Sequence, residues 1–182
     1  MTNSTTASTH LKECLRQEVQ KNGKPFSWFK TIHRAIKCNE RRFYFWLRIW
    51  GYLYQTNKFG MAQFAKKKMY YFNMKYSSDI NPGAKIGPGL KLSHYPGVII
   101  RGGAIIGDNA LIRQGVTIGI KRENEAGCIR IGDNVEIGAN CCIIGNLIIG
   151  NNVTIGAMTL VNKNISDNVT VFSEKTMATY QK

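Results

Sequence analysis

Past His33 the 182-residue chain contains a single histidine, His94, within KLSHYPGVIIRGG (residues 91–103). A neutral imidazole changes charge near physiological pH and can act as a general acid or base toward a bound ligand. Such general-base help is typically worth about 10²–10⁴ in rate. Ser93 precedes this histidine and Tyr95-Pro96 follows it; the latter pair reads as shaping a bulge. The five cysteines, Cys14, Cys38, Cys128, Cys141 and Cys142, show no CxxC spacing. They read as reduced thiols, not as a disulfide frame or a zinc site. His10 and His33 lie in the other half of the chain, so no metal is expected.

What must position His94 is a strict repeat. Ile106, Ile112 and Ile118 are six residues apart, as are Ile131, Ile137, Ile143, Ile149, Ile155 and Val161. A period of six fits neither a helix nor an alternating strand. It is the mark of a parallel β-helix, in which a hexad supplies a short strand and a corner, and three hexads close a coil. A second register agrees: Gly107-Asp108-Asn109-Ala110 recurs as Gly132-Asp133-Asn134-Val135, Gly150-Asn151-Asn152-Val153 and Ser166-Asp167-Asn168-Val169. From Gly132 to Gly150 is 18 residues, one full coil; from Gly87 to Gly107 is 20, and from Gly107 to Gly132 is 25. Two residues are therefore inserted around Ser93–Gly97, and seven in KRENEAG (121–127). Solenoids accept insertions at corners, often on the binding face. Successive enlarged coils are expected to set His94 near the base of the 121–127 loop.

The first half is written differently. Helical texture is expected over roughly 11–21, 26–37, 40–54 and 60–74, after a polar start, MTNSTTAST. The domain reading is a disordered tail at 1–10, an α-helical region at 11–77, and a β-helix at 78–182 with an extruded loop at 120–128. Residues 1–80 carry fifteen Lys or Arg against four acids, and 81–182 ten against seven. A basic half suits an anionic partner or a merely solvated face. RRFYFWLRIWGYLYQ (41–55) is dense in aromatics; it reads as core or subunit contact, or as a peripheral helix on an anionic lipid surface. Nucleic-acid binding has charge in its favour but no motif. With no secretory signal and no apolar run long enough to span a bilayer, a cytoplasmic location is expected, at most peripheral at the inner face of the membrane.

The stretches DINPGAKIGPGLKLSH (79–94), RQGVTIG (113–119), IRIGDNVEIGANCCIIGNLIIGNNVTIGAMTLV (129–161) and SDNVTVFSEK (166–175) resemble the hexapeptide-repeat acyltransferases. The similarity is to the serine acetyltransferase branch, and within it to bacterial enzymes that decorate capsule or exopolysaccharide. The resemblance implies a left-handed β-helix acting as a homotrimer, with sites between subunits and acetyl-CoA as donor. It implies His94 as general base and Asp79 as its carboxylate partner. Backbone at Gly119, Ala139 and Ala157 would line the acetyl-CoA groove, with Lys175 on its phosphates. Gln114 would touch the acceptor or a neighbouring subunit; Cys128 would line the acceptor pocket or be a buried thiol. Serine acetyltransferases have an Asp before the catalytic His, where this chain has Ser93, and an Arg-His pair after the loop, where it has Gly127-Cys128. Losing partners for an ammonium and a carboxylate costs binding. The expectation is therefore O-acetylation of a surface glycan or its precursor, with serine or another small hydroxyl compound as the alternative. A non-catalytic trimeric scaffold is the reading outside enzymology.

Overall fold

The structure, a computed structural model, describes residues 4–21, 23–120 and 128–174. Fourteen two- or three-residue strands cycle through three parallel sheets. The first face holds β1 (Asp79–Ile80), β4 (Ile99–Ile100), β7 (Thr117–Gly119), β10 (Cys142–Ile144) and β13 (Leu160–Val161). The second holds β2 (Lys85–Ile86), β5 (Ile105–Ile106), β8 (Arg130–Ile131) and β11 (Ile148–Ile149). The third holds β3 (Lys91–Leu92), β6 (Leu111–Ile112), β9 (Glu136–Ile137), β12 (Thr154–Ile155) and β14 (Thr170–Val171). The hexads thus build a left-handed parallel β-helix, the fold the repeat calls for.

Each hexad turns its central aliphatic inward. Ile80, Ile100, Ile118, Ile143 and Val161 stack on the first face, and Leu92, Ile112, Ile137 and Ile155 on the third, all buried. Burying one such side chain is worth about 1.5–3 kcal/mol, and β-branched residues suit a strand. The corner between the second and third faces needs φ > 0. Asparagine takes it at Asn109, Asn134, Asn152 and Asn168, because its short amide tolerates the left-handed region. Those amides bond each other upward: Asn109 Nδ2 donates to Asn134 Oδ1 at 3.1 Å, Asn134 to Asn152 at 3.0 Å, and Asn152 to Asn168 at 2.9 Å. At Gly132 a Cβ would stand 2.5 Å from Asn151 Oδ1 and 2.7 Å from the Gly150 backbone; close coil-on-coil approach, and not conformation, demands glycine there.

Four helices close the lower end: α1 (Ser4–Leu15), followed by a π-helical turn at Arg16–Gln20, then α2 (Trp28–Lys37), α3 (Asn39–Thr56) and α4 (Ala62–Tyr76). Helix α1 begins inside the segment read as a disordered tail. Its residues are held because Leu11, Cys14 and Leu15 are buried and His10 Nε2 lies 3.3 Å from the Ile86 carbonyl. Burial also pushes the Cys14 thiol up to about 12, so it stays protonated. The aromatic helix α3 is a structural element first: Phe43, Tyr44, Leu47 and Arg48 are buried, and Trp46 stacks on Trp50. The lipid-surface reading of 41–55 gains no support, since much of its apolar side packs into the joint between helices and β-helix, although Trp46 remains exposed.

That joint is pinned by a buried ion pair. Arg48 Nε donates to Glu18 Oε2 at 2.8 Å, and its remaining nitrogens reach Glu18 Oε1, the Ile86 carbonyl (2.6 Å) and the Gly87 carbonyl (2.7 Å). Glu18 Oε1 also accepts the Leu90 N–H at 2.9 Å. One pair thus ties α3 and the turn after α1 to the backbone of the first coil.

Candidate functional site

Hydrogen bonds identify which residues are the extra two in the enlarged first coil. Ser93 N donates to Ile112 O, so Ser93 lies beneath Arg113. Gly115 N donates to Pro96 O, in the manner in which Asn140 N donates to Gln114 O one coil higher. Pro96 therefore occupies the wall position below Gln114, and His94 and Tyr95 are the surplus pair. The wall continues past them while both leave it at the corner between the third and first faces. His94 emerges exposed.

Tyr95 goes the other way and anchors the bulge. Its ring stacks on Phe43 with centroids 3.9 Å apart and planes 9° apart, and meets Tyr76 edge-on. Burial pushes its phenol up to about 12, so it packs as a neutral ring. Just before the bulge, the Tyr44 hydroxyl accepts the Leu92 N–H at 2.8 Å and donates to the Leu92 carbonyl at 3.4 Å. Burial likewise holds the Tyr44 phenol well above its ordinary range. The helices therefore clamp His94 from both sides in sequence, at Leu92 and at Tyr95. Replacing Tyr44 with Phe leaves the buried Leu92 N–H without its partner, a loss of about 1–3 kcal/mol. A thermal melt of Tyr44→Phe is expected to shift down by several degrees, about 2–4 °C per kcal/mol for a chain of this size. An unshifted melt refutes the clamp.

The other sequence-derived residues fall into two groups. Ser93, Gln114, Ala139 and Ala157 line the same corner as His94, on successive coils. Asp79 opens β1 just below it, donating its backbone N–H to Val98 O, with its side chain exposed. No hydrogen bond or ion pair joins Asp79 to His94 in this structure. Gly119 and Cys128 sit instead at the corner between the first and second faces, on either side of residues 121–127 in sequence. Cys128 is half-buried, its thiol donating to the Gly103 carbonyl at 3.1 Å and its N–H to Asn146 Oδ1 at 3.2 Å. The expectation that His94 stands near the loop base within one chain is corrected: the two insertions occupy opposite edges of the first face. Counting hexads modulo three would have found this. Lys175 and residues 121–127 lie outside the described residues.

Sequence reasoning missed the clamp itself. Tyr44 and Phe43 sit in a stretch where aromatics cover every side of the helix, so no periodicity singles them out. Among the described residues, no three His, Cys, Asp or Glu side chains gather as a metal site would require.

Fold and repeat define a class, the hexapeptide-repeat β-helices: residues 128–163 match the bacterial transferase hexapeptide (six repeats). Within that class the chain is similar to serine acetyltransferases. It is 38% identical over 120 residues to the serine acetyltransferase of Staphylococcus epidermidis, an alignment covering 65% of this chain and 55% of that protein. Among solved structures it resembles serine acetyltransferase isoform 3 from Entamoeba histolytica, in complex with cysteine, at a TM-score of 0.74 and 27% identity, covering 97% of this chain and 62% of that one. The serine acetyltransferase of Neisseria gonorrhoeae, in complex with serine, gives a TM-score of 0.64 at 29% identity, over 91% of this chain and 66% of that one. The chain thus spans little more than half the length of the Staphylococcus relative. None of these relatives is named for a polysaccharide substrate, so the capsule and exopolysaccharide branch of the sequence reading gains no support from them.

Proposed function

We propose that this chain is an acetyl-CoA-dependent O-acetyltransferase, an acyltransferase of the hexapeptide-repeat kind, with a small hydroxyl acceptor headed by serine. The observation that carries the proposal is the surplus pair: an exposed imidazole leaves an otherwise continuous wall at a corner, while its neighbour Tyr95 is locked into the core. His94 takes the acceptor hydroxyl's proton as the oxygen attacks the thioester carbonyl; the tetrahedral intermediate then collapses and expels the thiolate. Asp79, at the start of the same coil, is the carboxylate we assign to orient the imidazole through its second nitrogen. We assign the pantetheine arm to backbone at Ala139 and Ala157 of one chain and Gly119 of its neighbour, with Lys175 assigned to the CoA phosphates. Ser93, Gln114 and Cys128 are the acceptor-facing candidates.

Assembly as a homotrimer is part of this reading, and the placement of these groups is consistent with it. His94 and the loop stems occupy opposite edges of the first face, so a site containing both requires one chain's third-to-first corner against the next chain's first-to-second corner. Exposed Ile99 and Leu160 on that face supply apolar surface for such contact. A second acceptor, a neutral saccharide hydroxyl, is favoured by one specific observation. Ser93 and Cys128 stand where serine-specific anchors would carry charge, and Cys128 spends its thiol on the Gly103 carbonyl.

The test is release of CoA thiol from acetyl-CoA against a panel of serine, other small alcohols and neutral sugars. Turnover with serine supports the leading acceptor; turnover confined to sugars transfers the proposal to the second. Absence of both turnover and acetyl-CoA binding refutes the enzyme reading and leaves a scaffold.

A further inference from the structure

Helix α2 leaves most of its apolar surface uncovered. Thr31 and Ala35 face inward and are buried, whereas Phe29 is 81% exposed, Ile36 66%, Ile32 44% and Trp28 43%. At helical spacing Trp28, Ile32 and Ile36 form one row and Phe29 flanks it. No acidic residue lies on this helix; Lys30, Arg34 and Lys37 occupy its remaining side. From Lys21 to Arg42 the sequence carries seven Lys or Arg and one acid, Glu40, which is itself paired with Lys21 at 3.0 Å. The row is also held rigid. Arg42 Nε donates to the Ala35 carbonyl at 3.1 Å, and its Nη2 to the Ile36 carbonyl, closing the helix C-terminus.

We propose that α2 docks this protein onto an anionic membrane surface. The Trp28–Ile32–Ile36 row with Phe29 enters the boundary between headgroups and acyl chains, and the surrounding lysines and arginines meet lipid phosphates. Charge selects this occupant over a second copy of the chain. A second copy of α2 offers no acid to answer Lys30, Arg34 and Lys37, and the 21–42 segment around the helix is strongly cationic. An anionic bilayer neutralises them. The contact is peripheral, since no helix among the described residues is long and apolar enough to cross a membrane. It does not depend on which acceptor is acetylated, and it rests on α2 and not on α3, whose Phe43 and Tyr44 are buried in the joint.

The experiment is co-sedimentation of the full chain with vesicles of phosphatidylcholine containing phosphatidylglycerol, beside vesicles of phosphatidylcholine alone. The wild type is expected to sediment with the anionic vesicles and to be released by high salt. Phe29→Ser/Ile36→Ser is expected to weaken binding by about tenfold or more, with acetyl-CoA turnover and melting temperature unchanged, because both side chains are exposed. Lys30→Gln/Lys37→Gln weakens binding with no change in fold. The proposal is overturned if the wild type ignores anionic vesicles or if the Phe29/Ile36 variant binds them equally. It is also overturned if that variant instead forms a smaller assembly in lipid-free solution, which would assign the face to contact between copies.

Discussion

His94→Ala is expected to lower acetyl transfer by about 10²–10⁴, the usual worth of a positioned general base. Binding of acetyl-CoA and the thermal melt are expected to stay where they are. The separation is possible because His94 is a surplus residue: it occupies no wall position and it is exposed. Its neighbour does the packing. Tyr95→Ala therefore serves as the contrasting variant, expected to lose stability through the Phe43 and Tyr76 contacts and to lose turnover as the bulge loosens. Steady-state kinetics with a thiol-release readout, beside calorimetric titration of acetyl-CoA, measures both quantities. Full activity in His94→Ala would falsify the proposed mechanism outright.

The second large effect concerns stability. Glu18→Gln or Arg48→Met removes one member of an ion pair whose side chains are 1% and 9% exposed. The remaining charge is left in the joint without its counter-charge, which typically costs about 3–5 kcal/mol. The melting temperature is expected to fall by roughly 10 °C, at about 2–4 °C per kcal/mol. Removing both charges is expected to be less damaging than the two single changes added together, since no lone charge remains. Recovery stays partial, because the Ile86 and Gly87 carbonyls lose the Arg48 guanidinium in the double variant. A single substitution that melts at the wild-type temperature would show that water already reaches the pair.

Much of this fold could be read before any coordinates. The hexads place each inward aliphatic, because a six-residue strand-and-corner unit admits one central position. Coil lengths of 20 and 25 locate both insertions. Spacing alone could not say which two of Ser93–Gly97 are surplus, since any of them could be expelled without changing the count. The backbone bonds on either side of the bulge, Ser93 to Ile112 and Gly115 to Pro96, decide it. The helical half was less legible. Glu18 and Arg48 are thirty residues apart, and nothing local marks two charged residues as buried partners. Helix α3 carries aromatics on all sides, so its core face could not be told from a lipid face. The amphipathic row of α2 becomes plain only once Thr31 and Ala35 are seen to be buried.

The column of asparagine amides from Asn109 to Asn168 has a mechanical consequence. Each storey of the prism is fastened to the one below it and to little else, so cohesion passes along the axis as a series of links. The clamped storey at the helices anchors the series. The storey holding Asn168, furthest from that anchor, is the loose end where unravelling begins, and amide exchange should slow progressively from there down to His94.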